Sequence, residues 1–434
     1  MTAVGQPERA TQNRVVPLFR DELGYRYLGD WTDRDGNSNI EEGLLSAWLT
    51  KRGYTAAQIS VALHKLRTEA DNHSRALYGN NQAVYNLLRY GVPVKIEAGK
   101  VTETVHLIDW REPNKNDFAI AEEVTLKGNQ ERRPDLVLYV NGIAIGVIEL
   151  KKSSVSIGEG VRQNLSNQQP EFNAWFFSTV QFVFAGNNSE GLQYAAIGTP
   201  EKYWLKWKED EQDDSRFKLD KYLLKMCVKE RLIELMHDFV LFDGGVKKLP
   251  RVHQYFAIKA AQRHARERRG GIFWHTQGSG KSIVMVLLAK WILENNPNAH
   301  VAIITDRDEL DKQIERVFTE SGEIIKRTSS GRDLMKQLSE AKPRLLCSLV
   351  HKFGRKDVDD FDAFIKELQA QPNGGRGLRL RGRMPPDPER QAAPRDEGDD
   401  AQRGFHRIHR HAAANEGQAD QPGGIWRLHP HVQI

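Results

Sequence analysis

The stretch FWHTQGSGKSIVMVLLAK, from Phe273 to Lys290, constrains the fold of this chain more than any other. A short apolar run leads into a turn of glycine and serine, and a second apolar run long enough for a helix leaves it. A strand that delivers the chain to such a turn, with a helix departing from it, is the geometry of a phosphate-binding loop. In TQGSGKS, Gly278 and Gly280 can turn backbone N–H groups toward phosphate oxygens, with Thr276 and Ser279 in the same cradle. Lys281 can reach the β and γ phosphates of ATP, and Ser282, at the helix N-terminus, can hold Mg²⁺. The strict pattern has glycine six residues before the lysine, where this chain has His275. An ordinary turn can also carry Gly-Ser-Gly-Lys-Ser, but the strand before it and the helix after it favour nucleotide binding.

Two neighbours extend this reading. Upstream, Gln254 in RVHQYFA could contact adenine, although a surface glutamine is the commoner role for such a residue. Downstream, HVAIITD reads as a buried strand ending at Thr305-Asp306-Arg307, the edge at which α/β sheets place ligands. The order strand, loop, helix, strand implies a parallel α/β sheet. A two-part nucleotide site also needs a carboxylate box for Mg²⁺ and water. No Asp-Glu-x-His sequence follows the loop in this chain.

A second constellation lies in PDLVLYVNGIAIGVIELKK. Aliphatic and β-branched runs flank Asn141-Gly142, the strongest short signal for a two-residue hairpin. Asp135 opens one strand, and Glu149 and Lys151 stand two apart near the end of its partner, on one face by period-two alternation. Antiparallel pairing brings Asp135 near them. Two carboxylates can hold Mg²⁺, and a lysine can steady attacking water or developing charge. This is the pattern of PD-(D/E)xK nucleases, and an ion-paired strand end would look the same.

At 434 residues the chain has room for two or three domains. The net charge of +5 is too small to identify a nucleic-acid-binding surface, so any basic face must be local. Only Cys227 and Cys347 are present, and no leader or long uncharged run occurs, which points to the cytoplasm and away from a membrane. The expected domains are 1–242, mixing helices such as IEEGLLSAWLTKRG and NNQAVYNLLRYG with strands, then 243–372, containing the phosphate loop, and 373–434. From about Pro372 apolar periodicity fades while Arg, Pro, Gly and His accumulate. The bland reading of that region is an unstructured tail, and its HRIHRH run carries only compositional evidence for a metal.

Taken together, ALYGNNQAVYNLLRYGVPV, ERRPDLVLYVNGIAIGVIELKK, FFSTVQFVFAGN, TPEKYWLKWKE, FWHTQGSGKS and ITDRDELDKQI resemble the restriction (R) subunit of type I restriction-modification enzymes. The resemblance covers most of residues 15 to 372. It implies a PD-(D/E)xK nuclease domain followed by a RecA-like superfamily 2 motor lobe. It also implies Mg²⁺-dependent cleavage of double-stranded DNA coupled to ATP-driven translocation, with methylase and specificity subunits as partners. Carried over by position, Asp135, Glu149 and Lys151 serve DNA cleavage, and Lys281 with Ser282 serves ATP and Mg²⁺. The family often adds Gln-x-x-x-Tyr after the nuclease lysine; this chain has Gln163, with Asn167 at the tyrosine position.

The resemblance also bears on the missing box, because family members carry Asp-Glu-Cys-His and then Thr-Gly-Thr-Pro. Read one base out of step, the codons of Gly382, Arg383 and Met384 permit Asp-Glu-Cys, and those from Phe405 to Ala413 permit Phe-Ile-Gly-Phe-Thr-Gly-Thr-Pro-Leu. The expectation is a frameshift between about Gln371 and Leu378 that leaves an incomplete, ATPase-inactive motor lobe. The competing class is a stand-alone DNA-binding or nuclease module without ATPase activity.

Overall fold

The computed structural model describes residues 6–349, 377–382 and 424–428, apart from positions 98, 100, 129, 210–214, 268, 277, 306, 307 and 321. The chain divides into two compact units, Met1–Tyr255 and Phe256–Ile434.

The first unit begins with helix α1 (Gln6–Pro17), strand β1 (Arg26–Asp30) and helices α2 (Glu42–Lys51), α3 (Ala56–Ala70) and α4 (Leu77–Tyr90). A small hairpin, β2 (Val92–Val94) with β3 (Glu103–Val105), precedes the central elements β4 (Phe118–Glu122), β5 (Leu136–Val140), β6 (Ile143–Leu150), α5 (Ile157–Asn167), β7 (Phe182–Asn187), β8 (Gly191–Ala195) and β9 (Leu205–Lys206). The unit ends with α6 (Lys218–Met226), α7 (Lys229–Asp238) and the hairpin β10 (Leu241–Asp243) with β11 (Val246–Lys248). The main sheet has the order β1-β4-β5-β6-β7-β8-β9.

Strands β5 and β6 are buried at every residue, which is why LVLYV and IAIGVIEL read as continuous apolar runs and do not alternate. Helix α5 is the crossover between β6 and its parallel neighbour β7. Ser156 caps α5 by accepting from the Gly158 N–H, and Ile157 and Val161 then pack with Val137, Val147 and Ala185. Gly160 lets the helix lie close to the sheet: a Cβ there would stand 3.3 Å from the Ala185 Cβ and 3.5 Å from the Glu149 Cβ.

The β10–β11 hairpin belongs to the first unit. Its Lys247 is buried, and the ammonium donates to Asn81 Oδ1 at 2.8 Å and Gln181 Oε1 at 2.6 Å. Burial holds that lysine well below its usual pKa.

Helix α8 (Val252–Arg266) runs across the division between the units. The second unit continues with β12 (Gly271–Phe273), α9 (Lys281–Asn295), β13 (His300–Thr305), α10 (Asp308–Glu320), β14 (Lys326–Arg327), α11 (Gly331–Ser339), β15 (Leu345–Leu349), β16 (Gly377–Gly382) and β17 (Gly424–Leu428). Their sheet has the order β12-β17-β16-β13-β15-β14. Strand β13 pairs in parallel with β15, and β14 with β15, as the sequence led us to expect, and β13 also pairs in parallel with β16, which falls in the stretch expected to be an unstructured tail. Strand β17 is the exception, antiparallel to both β12 and β16. Helix α9 buries Val284, Val286, Leu287, Leu288, Ala289 and Ile292, so it is apolar on several sides, as an interior helix must be.

Within the expected tail, β16 and β17 are described. The segments Arg383–Arg395 and Phe405–Ala413, on which the frameshift reading rests, lie outside the described residues, as do Asp306 and Arg307. No helix among the described residues is long and apolar enough to cross a membrane.

Candidate active site

The hairpin turn forms as its sequence demands. Asn141 and Gly142 have φ of 53° and 81°, the pair of positive values that a two-residue type I′ turn requires. Asn141 also anchors the turn through its side chain, donating to the Leu107 carbonyl at 2.9 Å and to Asn116 Oδ1 at 2.8 Å.

The pairing beyond the turn contains a step that sequence spacing alone does not give. Val140 pairs with Ile143 and Tyr139 with Ala144, but Leu138 then pairs with Gly146, so Ile145 is an extra residue in β6. After this bulge Val137 faces Val147 and Leu136 faces Ile148. Extending that register by one residue sets Asp135 opposite Glu149. An unbroken two-residue hairpin would set Asp135 opposite Ile148 and turn Glu149 to the other face of the sheet. Gln181 N–H donates to the Ile145 carbonyl at 2.9 Å and holds the bulge. Gly146 makes room for it, since a Cβ there would lie 3.0 Å from Leu138 Cδ1.

The three residues expected for cleavage therefore come together at one end of the hairpin. Asp135 is half-buried, and its Oδ2 accepts the Leu150 N–H at 2.6 Å, which fixes the carboxylate beside Glu149. Glu149 is fully buried, and Lys151 is 9% exposed, with its backbone N–H on the Gly186 carbonyl at 2.9 Å. Asn167, the last residue of α5, donates from Nδ2 to Glu149 Oε1 at 3.1 Å. Gln163 lies one turn earlier on the same helix, half-buried.

The Asp135 main chain is braced as well. Its carbonyl accepts the Glu123 N–H at 2.9 Å and the Gln12 amide at 3.2 Å, and the same amide reaches Glu122 Oε2 at 3.0 Å. Glu123 has φ of 51°, a conformation uncommon outside glycine, and its carboxylate is held by Arg9 and Arg133, each at 2.8 Å. Spacing gave no hint of this bracket, because Gln12 and Glu123 are far apart in the chain.

Among the described residues no three His, Cys, Asp or Glu side chains gather as metal ligands. A cation at the hairpin would have Asp135 and Glu149 as its protein ligands. That suits Mg²⁺, which prefers oxygen, keeps several waters and is commonly bound by one or two carboxylates.

The phosphate loop sits in the second unit. Gly278 and Gly280 have φ of 75° and 82°, and Gly280 is the N-cap from which α9 starts at Lys281. Lys281 Nζ donates to the carbonyls of His275 at 3.0 Å and Thr276 at 3.2 Å. Its ammonium thus closes over its own loop, where phosphate oxygens are the stronger acceptors. Burial lowers its pKa. Ser279 is buried, and Thr276 and Gly278 are exposed, while Ser282 lies in the first turn of α9. Gln254 falls in the first unit; it is buried, and its Oε1 accepts the Arg251 N–H at 2.8 Å at the start of α8.

Residues 5–202 match the family described as type I restriction enzyme R protein N terminus, and residues 253–373 match the SWI2/SNF2 ATPase family. A putative type I restriction enzyme endonuclease subunit of Methanocaldococcus jannaschii is 27% identical over 366 residues, 74% of this chain and 34% of that protein. The type I restriction enzyme HindI endonuclease subunit of Haemophilus influenzae is 27% identical over 290 residues, 59% of this chain and 27% of that protein. A type I endonuclease subunit of Staphylococcus saprophyticus is 22% identical over 267 residues. The chain spans about a third or less of the length of these relatives.

Proposed function

The chain belongs to the family of type I restriction enzyme R subunits, and on that premise we propose that its first unit is a Mg²⁺-dependent DNA nuclease of the PD-(D/E)xK kind and its second an ATP-binding, RecA-like lobe of a DNA translocase. One observation carries the nuclease reading: a bulge at Ile145 turns Asp135 and Glu149 to one face, with Lys151 two residues on. Asp135 and Glu149 would hold the cation. When bound, Mg²⁺ supplies a polarised water and neutralises charge on the cleaved phosphodiester. The Leu150 N–H keeps the Asp135 carboxylate oriented, and Lys151 adds positive charge where the phosphate would lie. In the second unit Lys281 would exchange two carbonyls for the β and γ phosphates, and Ser282 would offer its hydroxyl to the nucleotide's Mg²⁺.

The substrate of this reading is double-stranded DNA, and its partners are methylase and specificity subunits. We further infer that the codons after about Gln371 are out of frame, so that ATP binds without DNA-stimulated turnover. Resequencing across Gln371 to Leu378 tests that inference, and an unshifted reading frame with no Asp-Glu-Cys-His box would end it. For the nuclease, the experiment is plasmid cleavage by the full chain, reconstituted with methylase and specificity subunits, in Mg²⁺ and ATP, and by the chain alone. Cleavage that Asp135→Asn abolishes supports the reading; cleavage that Asp135→Asn leaves untouched sinks it. A second reading, a stand-alone nuclease module, gains from cleavage by the chain alone without ATP.

A further inference from the structure

Glu149 is a buried carboxylate that accepts a hydrogen bond from the Asn167 amide at 3.1 Å. Both side chains are almost wholly shielded, with Asn167 1% exposed. Asn167 closes the C-terminal end of α5, where the helix dipole presents partial negative charge and would repel a carboxylate. An N–H donor at that point offsets the repulsion.

The amide is itself well supported. The Asn167 carbonyl accepts the Asn173 N–H at 3.2 Å, and Gln168 ties the end of the helix to the segment after β8 by accepting the Gly198 N–H at 2.7 Å. Gly160 brings α5 near enough to β6 for the contact to form.

We propose that Asn167 is a positioning residue for a divalent cation held by Asp135 and Glu149, fixing the Glu149 carboxylate through the hydrogen bond from its amide. The proposal rests on the nuclease reading above. Outer-shell partners of this kind change metal affinity by roughly 10–100-fold when removed.

The test is Mn²⁺ binding to the full chain without nucleotide, followed by electron paramagnetic resonance, with folding monitored by thermal unfolding. Asn167→Leu keeps most of the volume and removes the donor, Asn167→Ala removes both, and Glu149→Gln is the control. The expected result is a dissociation constant raised roughly 10–100-fold in both Asn167 variants and binding lost in Glu149→Gln. Asn167 variants that bind Mn²⁺ as the wild type does, while Glu149→Gln does not, overturn the positioning role and leave the metal site standing. Binding unchanged in Glu149→Gln overturns the metal site itself, and the proposal with it. If one Asn167 variant fails to fold, the other carries the measurement; if both fail, Asn167 is a folding residue and the proposal is refuted.

Discussion

The two candidate sites are built in opposite ways. The phosphate loop is contiguous: Thr276 and the residues from Gly278 to Ser282 are placed by one turn and the first residues of α9. The nuclease cluster joins strands on either side of a hairpin, and its geometry depends on a residue that takes no part in the chemistry, the extra Ile145. A local site tolerates errors elsewhere in the fold. A site assembled by register does not, since one residue of slip sends a side chain to the opposite face. The two lysines show the same contrast: Lys281 is half-buried on carbonyls of its own loop, whereas Lys247 is wholly buried on amides from distant segments.

The comparison can be tested by breaking each site in turn. Asp135→Asn should reduce Mg²⁺-dependent cleavage at least about 100-fold, beyond the usual cost of outer-shell changes. Inserting one alanine between Val147 and Ile148 should cost as much without touching a polar group, because it sets Ile148 opposite Asp135 and turns Glu149 to the other face. If the insertion variant folds and still cuts, the register argument is wrong. Lys281→Met should weaken ATP binding by about 1.5–3 kcal/mol, the worth of hydrogen bonds to a charged group, read by calorimetry. It should leave Mn²⁺ binding in the first unit intact.

Smaller effects concern stability. Lys247 has a folded-state pKa below its unfolded value, so the unfolded chain binds the extra proton and the charge costs stability below the folded pKa. Its surroundings are neutral: Asn81, Gln181 and the rings of Tyr85 and Phe242. Stability of the first unit should therefore rise with pH between the lowered pKa and about 10.5, and Lys247→Met should flatten that rise in denaturant titrations. The same change leaves two amide oxygens without their donor, at about 1–3 kcal/mol each at high pH. Gly146→Ala should cost about 1–3 kcal/mol, as expected for a Cβ pressed on Leu138, with the loss read from the urea midpoint.

Much of this was legible in the sequence where the determinant is local. Asn141-Gly142 announced its turn, TQGSGKS its loop, and HVAIITD its strand, because each depends on residues a few positions apart. The bulge was less visible. Its single cue is Gly146 inside an aliphatic run, an isolated strand glycine of the kind that marks bulges. The Asn167 contact and the bracket of Gln12 and Glu123 around Asp135 were not legible at all, since they join segments that meet only after the sheet forms. Strands β16 and β17 also escaped the reading, because both fall in the stretch whose Arg, Pro, Gly and His content pointed to an unstructured tail.

The central claim is that Asp135 and Glu149, brought to one face by the Ile145 bulge, hold one divalent cation. Fe²⁺ substituted for Mg²⁺, with ascorbate and peroxide, cuts the polypeptide backbone nearest the bound metal, and the fragments can be mapped by mass spectrometry. The account predicts cuts clustered around both 134–136 and 149–151, lost together in Glu149→Gln. Cuts at one strand only, or a pattern that Glu149→Gln leaves unchanged, would contradict it.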